Sequence, residues 1–115
     1  MKIAVTYEDG RIFQHFGHTE QFKIYETADG RIVRAEVVDT NGSGHGALAD
    51  FLMRQGVDAL ICGGIGGGAQ AALAEADIRL YGGASGEADA AVNALLASAL
   101  AYDPNVRCDH HDHAH

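Results

Sequence analysis

The segment VDALICGGIGGGAQAALAEADIRLYGG, residues 57–83, constrains the fold more than any other part of the chain. Its run VDALIC is an apolar strand, and the glycine-rich turn GGIGGG opens into AQAALAEAD, which is typical of a helix of small residues. IRLYGG then predicts a further strand. Because crossovers between parallel strands are right-handed and place the helix on the sheet, this order predicts a βαβ unit.

The remaining elements extend this unit into a three-layer α/β domain. KIAVTY predicts a first strand, and FKIYE and IVRAEVVDT, joined by the Asp-Gly turn in ADGR, predict an antiparallel pair. ALADFLMRQG predicts one amphipathic helix, and the apolar stripe between Ala88 and Ala99 predicts another, capped by Ser85 and ended by Pro104. We therefore expect the order βββαβαβα, with a five-stranded mixed sheet in which one strand, the second, is antiparallel.

Length and charge restrict the class of protein. A chain of 115 residues fits one domain, and its formal charge of -8 comes without a Lys/Arg cluster, so we expect no nucleic-acid partner. No apolar run approaches the ~20 residues that cross a bilayer, and the opening residues lack a secretory apolar region, which predicts a cytoplasmic protein without a membrane partner. The two cysteines, Cys62 and Cys108, are too few for a disulfide scaffold.

Chemically distinctive residues follow the predicted strands. HFGH contains His15 and His18, GSGHG contains His45, and the glycine turn occupies residues 63–68, with GGASG after the last strand. The loops that follow parallel strands leave the same edge of a sheet, where open α/β sheets bind their ligands. We therefore expect these residues to share one site.

The sequence leaves two interpretations of the glycine turn open. Bare backbone N–H groups at a helix start can approach an anion, or the glycines can simply allow a tight turn and close helix packing. Gly64, Gly66 and Ala69 match GxGxxA, but the next strand ends without the acidic residue that would hold a ribose. The absence of GK[ST], GxSxG and CxxC disfavours nucleotide triphosphatase, hydrolase and thiol-redox chemistry.

The histidine pair around Phe16 and Gly17 is a candidate ligand set. A turn there would bring the imidazoles of His15 and His18 near one point while Phe16 packs inward, and borderline metals accept imidazole nitrogen. Two solvated loop histidines are the alternative. Cys62, at the end of an apolar run, is interpreted as a packed small hydrophobe rather than as a ligand.

The end of the chain, CDHHDHAH, contains one thiol and four imidazoles within eight residues. This set suits zinc or nickel, and we expect residues 103–115 to form a flexible metal-binding tail on a domain of residues 1–102. A charged terminus that binds metal only when metal is added is the alternative. The candidate ligands of the tail are Cys108, His110, His111, His113 and His115.

Three stretches together resemble a known family. They are KIAVTYEDGRIFQHFGHTEQFKIYE, HGALADFLMRQGVDALICGGIGGGAQAALAEADIRLYGG and the final helix with its ALLASAL end. The chain resembles, from residue 1 to about residue 102, the dinitrogenase iron-molybdenum cofactor biosynthesis proteins, which include NifX-like proteins and the C-terminal domain of NifB-like proteins. The resemblance implies a ribonuclease H-like motif for the five-stranded sheet.

The resemblance also implies a function related to nitrogen fixation. Such proteins carry iron-molybdenum cofactor, its precursor or another molybdenum/iron-sulfide cluster between donor and acceptor proteins, and they are not enzymes. The HFG sequence of the family falls on His15, Phe16 and Gly17, and its glycine-rich loop falls on Gly63, Gly64, Ile65, Gly66, Gly67 and Gly68. The alternatives are a divalent-metal chaperone or buffer that acts through the tail, and a small enzyme that takes a phosphorylated substrate in the same cleft.

Overall fold

The computed structural model describes residues 1–40 and 45–104, apart from the side chains of His45 and Gly46. The strands are β1 (Lys2–Glu8), β2 (Arg11–Ile12), β3 (Gln21–Ala28), β4 (Arg31–Asp39), β5 (Ala59–Ile61) and β6 (Arg79–Tyr81). The helices are α1 (His45–Arg54), α2 (Gly67–Glu75) and α3 (Ala88–Leu96), with a 3-10 turn at Phe16–His18. None of these helices is long and apolar enough to cross a membrane.

The strands form one mixed sheet in the order β4-β3-β1-β5-β6, and β2 pairs with β1. β1, β5 and β6 are parallel neighbours, while β3 runs antiparallel to both β1 and β4. The expected α/β class and the β3–β4 hairpin are confirmed. The expected count of five strands is wrong, because the described residues form a sheet of six. β2 is only two residues long, so its sequence shows no apolar period. It is antiparallel to β1, so the sheet has more than the one antiparallel strand that we expected. The ribonuclease H-like motif stays a prediction.

Helices cover both faces of the sheet because the strands are apolar on both sides. Ala4 and Leu60 face α1 and α2, whereas their strand neighbours Ile3, Val5 and Ile61 face α3. Side chains alternate in this way along any strand, so a central strand without polar positions needs a cover on each face. The three layers follow from this pattern.

Helix α3 departs from the expected boundaries. Its N-cap is Glu87 rather than Ser85, and no side chain caps it. The backbone N–H of Ala88 donates instead to Gly10 O at 3.0 Å. A neighbouring loop therefore satisfies a donor at the start of the helix, where we expected the side chain of Ser85 to be the cap. The helix also ends at Leu96, well before Pro104. Just after this end, Ser98 adopts a left-handed backbone with φ of 59°.

A polar cluster holds the start of α3 against the sheet. The Lys23 ammonium and the Tyr25 hydroxyl donate to the same carboxylate oxygen of Asp89, at 2.8 and 2.5 Å. The hydrogen bond from Lys23, followed by the one from Tyr25, lowers the pKa of the Asp89 carboxyl. Burial, followed by the hydrogen bond to Asp89, raises the pKa of the Tyr25 hydroxyl far above its usual value.

These shifts predict how stability depends on pH. The Asp89 contribution is complete above the unfolded carboxyl pKa of about 3.9 and is lost as pH falls through the lower folded value. The Tyr25 contribution is complete below about pH 10 and is lost as pH rises towards the raised folded value. Because the Asp89 side chain is 62% exposed, solvent screens the pair, and Asp89→Asn should cost only about 0.5 kcal/mol near pH 7.

Urea unfolding of the wild type and of Asp89→Asn across the acid range measures this contribution. The difference between their free energies of unfolding should shrink to zero once Asp89 is protonated in the folded protein. Glu75→Gln, an exposed change at the end of α2, is the control and should give no difference. A constant gap between wild type and Asp89→Asn at every pH would contradict the assignment.

Candidate functional site

Two loops meet at the ends of β1 and β5 through paired backbone hydrogen bonds. The N–H of Phe16 donates to Gly64 O at 3.0 Å, and the N–H of Gly64 donates to Gln14 O at 2.7 Å. These bonds make a short parallel bridge between His15 and Gly64. The loop with the HFGH sequence and the glycine turn therefore lie side by side, as the strand order predicts.

Gly63 is required at this junction by the space available. A Cβ atom at this position would lie 2.7 Å from Gln14 Cα and 2.5 Å from Gln14 Oε1, closer than real Cβ contacts allow. The Gln14 side chain is itself held, because its Nε2 donates to Ile12 O and Ala84 O, both at 3.2 Å. Gln14 thus ties together the loops that follow β2, β5 and β6.

Sequence reasoning missed Gln14. It lies between Phe13 and His15 in a loop, and nothing in its neighbours distinguishes it from a solvated polar residue. Its role depends on a contact 70 residues away, with Ala84, and no local pattern reveals such a contact.

Cys62 lies directly before the glycine turn, and its side chain is not exposed at the surface of the turn. Its side chain is fully buried, and its thiol lies 3.6 Å from Gly63 O as a hydrogen-bond donor. Its backbone also joins the last strand and the loop after it, since its N–H donates to Tyr81 O at 3.1 Å and its carbonyl accepts from the N–H of Ala84 at 3.0 Å. The burial confirms the interpretation of Cys62 as a packed small hydrophobe.

The 3-10 turn Phe16–His18 presents two imidazoles on one side. The ring centroids of His15 and His18 are 6.5 Å apart with an interplanar angle of 77°, and both residues are exposed. Phe16 is buried and packs on Phe22 with 6.1 Å between ring centroids. The inward phenyl ring therefore fixes the turn that carries the histidines, as the sequence predicts. Gly17, between them, is partly exposed.

The first turn of α2 is open beside this pair. Gly66 is its N-cap, with an extended backbone and no side-chain cap, and the turn has no acidic residue. A Cβ atom added at Gly67 or Gly68 would meet nothing within 4 Å, and neither residue needs a left-handed backbone. Packing therefore explains Gly63, whereas it does not explain Gly67 and Gly68. The buried Ile65 anchors the turn, and its carbonyl accepts from Gln70 Nε2 at 3.1 Å.

Acidic side chains flank the histidines. A cavity of about 140 Å³ beside His18 is lined by the carboxylates of Glu8 and Glu20, with Tyr7, Phe13 and Gln21. Glu8 and Asp9 also border the open surface next to His15, where Arg11 is the basic neighbour. An anionic ligand would gain little from this field, so it would depend on direct bonds to imidazole nitrogen or backbone N–H.

Several expected site residues have no described position relative to this edge. His45 begins α1, but its side chain lies outside the described residues. The five tail candidates, Cys108, His110, His111, His113 and His115, lie outside them as well. Within residues 1–40 and 45–104, no three His, Cys, Asp or Glu side chains are arranged to hold a metal ion.

Comparisons with known proteins agree with the fold and the sequence features. Residues 1–98 match the family model for dinitrogenase iron-molybdenum cofactor. The uncharacterized protein MJ0580 of Methanocaldococcus jannaschii is 30% identical over 106 residues, which cover 87% of this chain and 89% of the relative.

Solved structures share the same architecture. The apo form of the orange protein from Desulfovibrio gigas is 28% identical and aligns with a TM-score of 0.79 over 93% of this chain and 96% of its own. The crystal structure of PH0822 aligns with a TM-score of 0.85 at 24% identity, over 91% of this chain and 96% of its own, which is a likeness of fold. With the family match over residues 1–98, these likenesses establish that the protein belongs to the dinitrogenase iron-molybdenum cofactor family.

Proposed function

We propose that this protein is a non-catalytic carrier for iron-molybdenum cofactor, its precursor or a related molybdenum/iron-sulfide cluster. One observation carries the proposal: backbone bonds between Phe16, Gly64 and Gln14 lock the histidine turn onto the glycine loop, beside the open start of α2. The family to which the chain belongs supports this class of cargo.

The ligand set favours a preformed cluster over a single ion. A lone divalent ion such as zinc usually needs three or four protein ligands, and the described residues offer no such group. A sulfide cluster brings most of its own coordination and needs only one or two further ligands. His15 and His18 supply two imidazoles, and the glycine N–H groups can donate to cluster sulfides.

The accessibility of both histidines suits a carrier. A cluster held by solvent-accessible imidazoles remains within reach of an acceptor protein, and exchange of one ligand for another releases it without covalent chemistry. The acidic flank of Glu8 and Glu20 adds no attraction for an anionic cluster, which keeps binding reversible. We therefore propose transfer from a donor protein to an acceptor, with no chemical change of the cargo.

A transfer experiment tests the carrier function. The protein is loaded anaerobically with isolated iron-molybdenum cofactor, desalted and mixed with dinitrogenase that lacks its cofactor. We expect about one molybdenum per chain after desalting, and we expect that molybdenum to move to the acceptor. Bovine serum albumin carried through the same steps is the control for nonspecific retention. Retention equal to that control would contradict the proposal.

The tail supports a second candidate function, a divalent-metal chaperone or buffer. The observation that favours it is the thiol and four imidazoles between Cys108 and His115. A chain ending at residue 104 separates the two candidates. If the tail is an accessory, the shortened chain should retain molybdenum like the full chain and should lose only zinc or nickel uptake. Molybdenum retained by neither chain, with zinc or nickel bound by the full chain alone, would favour the second candidate.

A further inference from the structure

We propose that strand β4 pairs antiparallel with the β4 strand of a second copy of this chain. β4 is the end strand of the sheet and spans nine residues, Arg31–Asp39, with β3 as its strand partner among the described residues. An end strand carries a row of backbone N–H and C=O groups that point away from the sheet. Such a row can bind another strand, and its side chains decide which one.

The apolar side chains of β4 are unusually exposed. Val33 is 60% exposed and Val37 is 42% exposed, and only Ile32 and Val38 of the nine residues are partly buried. A bulge at Val33 interrupts the pairing with β3, because Glu26 pairs with Arg34 while Thr27 pairs with Ile32. A bulge limits pairing at one end of an edge strand. The regular part of the edge therefore begins at Arg34 and extends to Asp39.

The sequence of this edge is complementary to itself about Ala35. In a two-fold antiparallel pair centred on Ala35, each Arg34 lies opposite Glu36 of the second copy. Opposite charges that face each other stabilise a strand pair. The neighbouring centre, Glu36, would instead place two glutamates together and leave Arg34 opposite Val38. Charge complementarity therefore selects both the partner and the register.

The charges of β4 are available for such a pair. Arg34 approaches Glu26 at 3.9 Å and Glu36 at 4.0 Å within the same chain; the side chains of Arg34 and Glu36 are largely exposed and that of Glu26 is partly exposed. Loose, exposed ion pairs contribute little and exchange readily. Arg34 and Glu36 share one face of the strand, so the dimer would join four alternating charges on that face. Val37 belongs to the opposite face, with Ala35.

The expected dimer is weak. A regular ladder of about three residues on each strand buries less area than the roughly 1,200 Å² of a standard stable interface. The dimer should therefore dissociate on dilution. In a series of protein concentrations from about 10 µM to about 1 mM, it should form only at the higher concentrations. A chelator must be present so that metal bound to the histidine-rich tail does not join the chains.

Sedimentation equilibrium of reciprocal charge variants tests the proposal. In Arg34→Glu alone, glutamates would face each other across the pair, and in Glu36→Arg alone, arginines would face each other. Each single variant should therefore dimerise at least about 10-fold more weakly than the wild type. A mixture of the two variants restores both opposite-charge contacts, so it should form a heterodimer of wild-type strength. Arg79→Glu, the same charge change at the exposed residue of the other end strand, β6, is the matched control and should dimerise normally.

Three results would overturn the β4 pairing centred on Ala35. The first is a wild type that stays monomeric up to about 1 mM. The others are single variants that dimerise like the wild type, and a mixture that remains monomeric. Thermal unfolding of each variant shows that it is folded, and because the mixture contains the same two variants, its recovery cannot come from repaired folding.

Discussion

Gly63→Ala should lower the free energy of unfolding by about 2–3 kcal/mol, the cost of forcing extra atoms into a packed interior. The new methyl group would meet Gln14 Cα at 2.7 Å. The backbone of Gln14 cannot easily move away, because its carbonyl accepts a hydrogen bond from the N–H of Gly64. The backbone at Gly63 is not left-handed, so the cost is steric and not conformational. Relief would require the two loops to separate, which should also displace the histidine turn.

Gly67→Ala and Gly68→Ala are the matched controls for this prediction. Both positions are open to a Cβ atom and lie in the first turn of α2. Alanine there should leave stability unchanged or raise it by up to about 1 kcal/mol, because it restricts the unfolded chain. Urea unfolding of the three variants measures the difference, and a Gly63→Ala protein as stable as these controls would contradict the close packing of Gly63 against Gln14.

The double variant His15→Ala/His18→Ala should lose cluster binding by more than about 10-fold, judged by molybdenum retained per chain after anaerobic loading. Neither side chain is buried, and the buried Phe16 anchors the turn, so stability should hardly change.

The same substitution in the tail is the control for the histidine pair. His110→Ala/His111→Ala also removes two imidazoles, but from residues that we assign to a separate divalent-metal site. This variant should retain molybdenum like the wild type. If the tail variant loses molybdenum and the loop variant does not, the cluster site lies on the tail.

Local patterns predicted the elements that local rules determine. The β3–β4 hairpin followed from the Asp-Gly turn, and Asp29 and Gly30 indeed have φ of 54° and 76°, the left-handed values that such a turn requires. The meeting of His15 with Gly64 followed from strand order alone. These features depend on spacing and connectivity, which the sequence contains.

The features that escaped prediction depend on contacts between distant segments. β2 has two residues and pairs with β1 without an apolar pattern of its own. Ser85 is not the cap of α3 because Gly10, far away in sequence, satisfies a donor of that helix. The structural roles of the glycines in the turn also differ with their surroundings, because Gly63 is packed tightly and Gly67 is open. A sequence pattern does not carry that distinction.

The location of the bound cluster is the central claim, and amide NMR tests it most directly. Iron centres broaden the signals of nearby nuclei, so isolated iron-molybdenum cofactor is added anaerobically to ¹⁵N-labelled protein and the broadened amides are assigned. We predict broadening at residues 14–18 and 63–68, with the signals of Asp29 and Gly30, in the turn at the far end of the β3–β4 hairpin, unchanged. Broadening confined to residues 105–115, with the loop signals unaffected, would contradict a cluster site on the histidine turn and glycine loop.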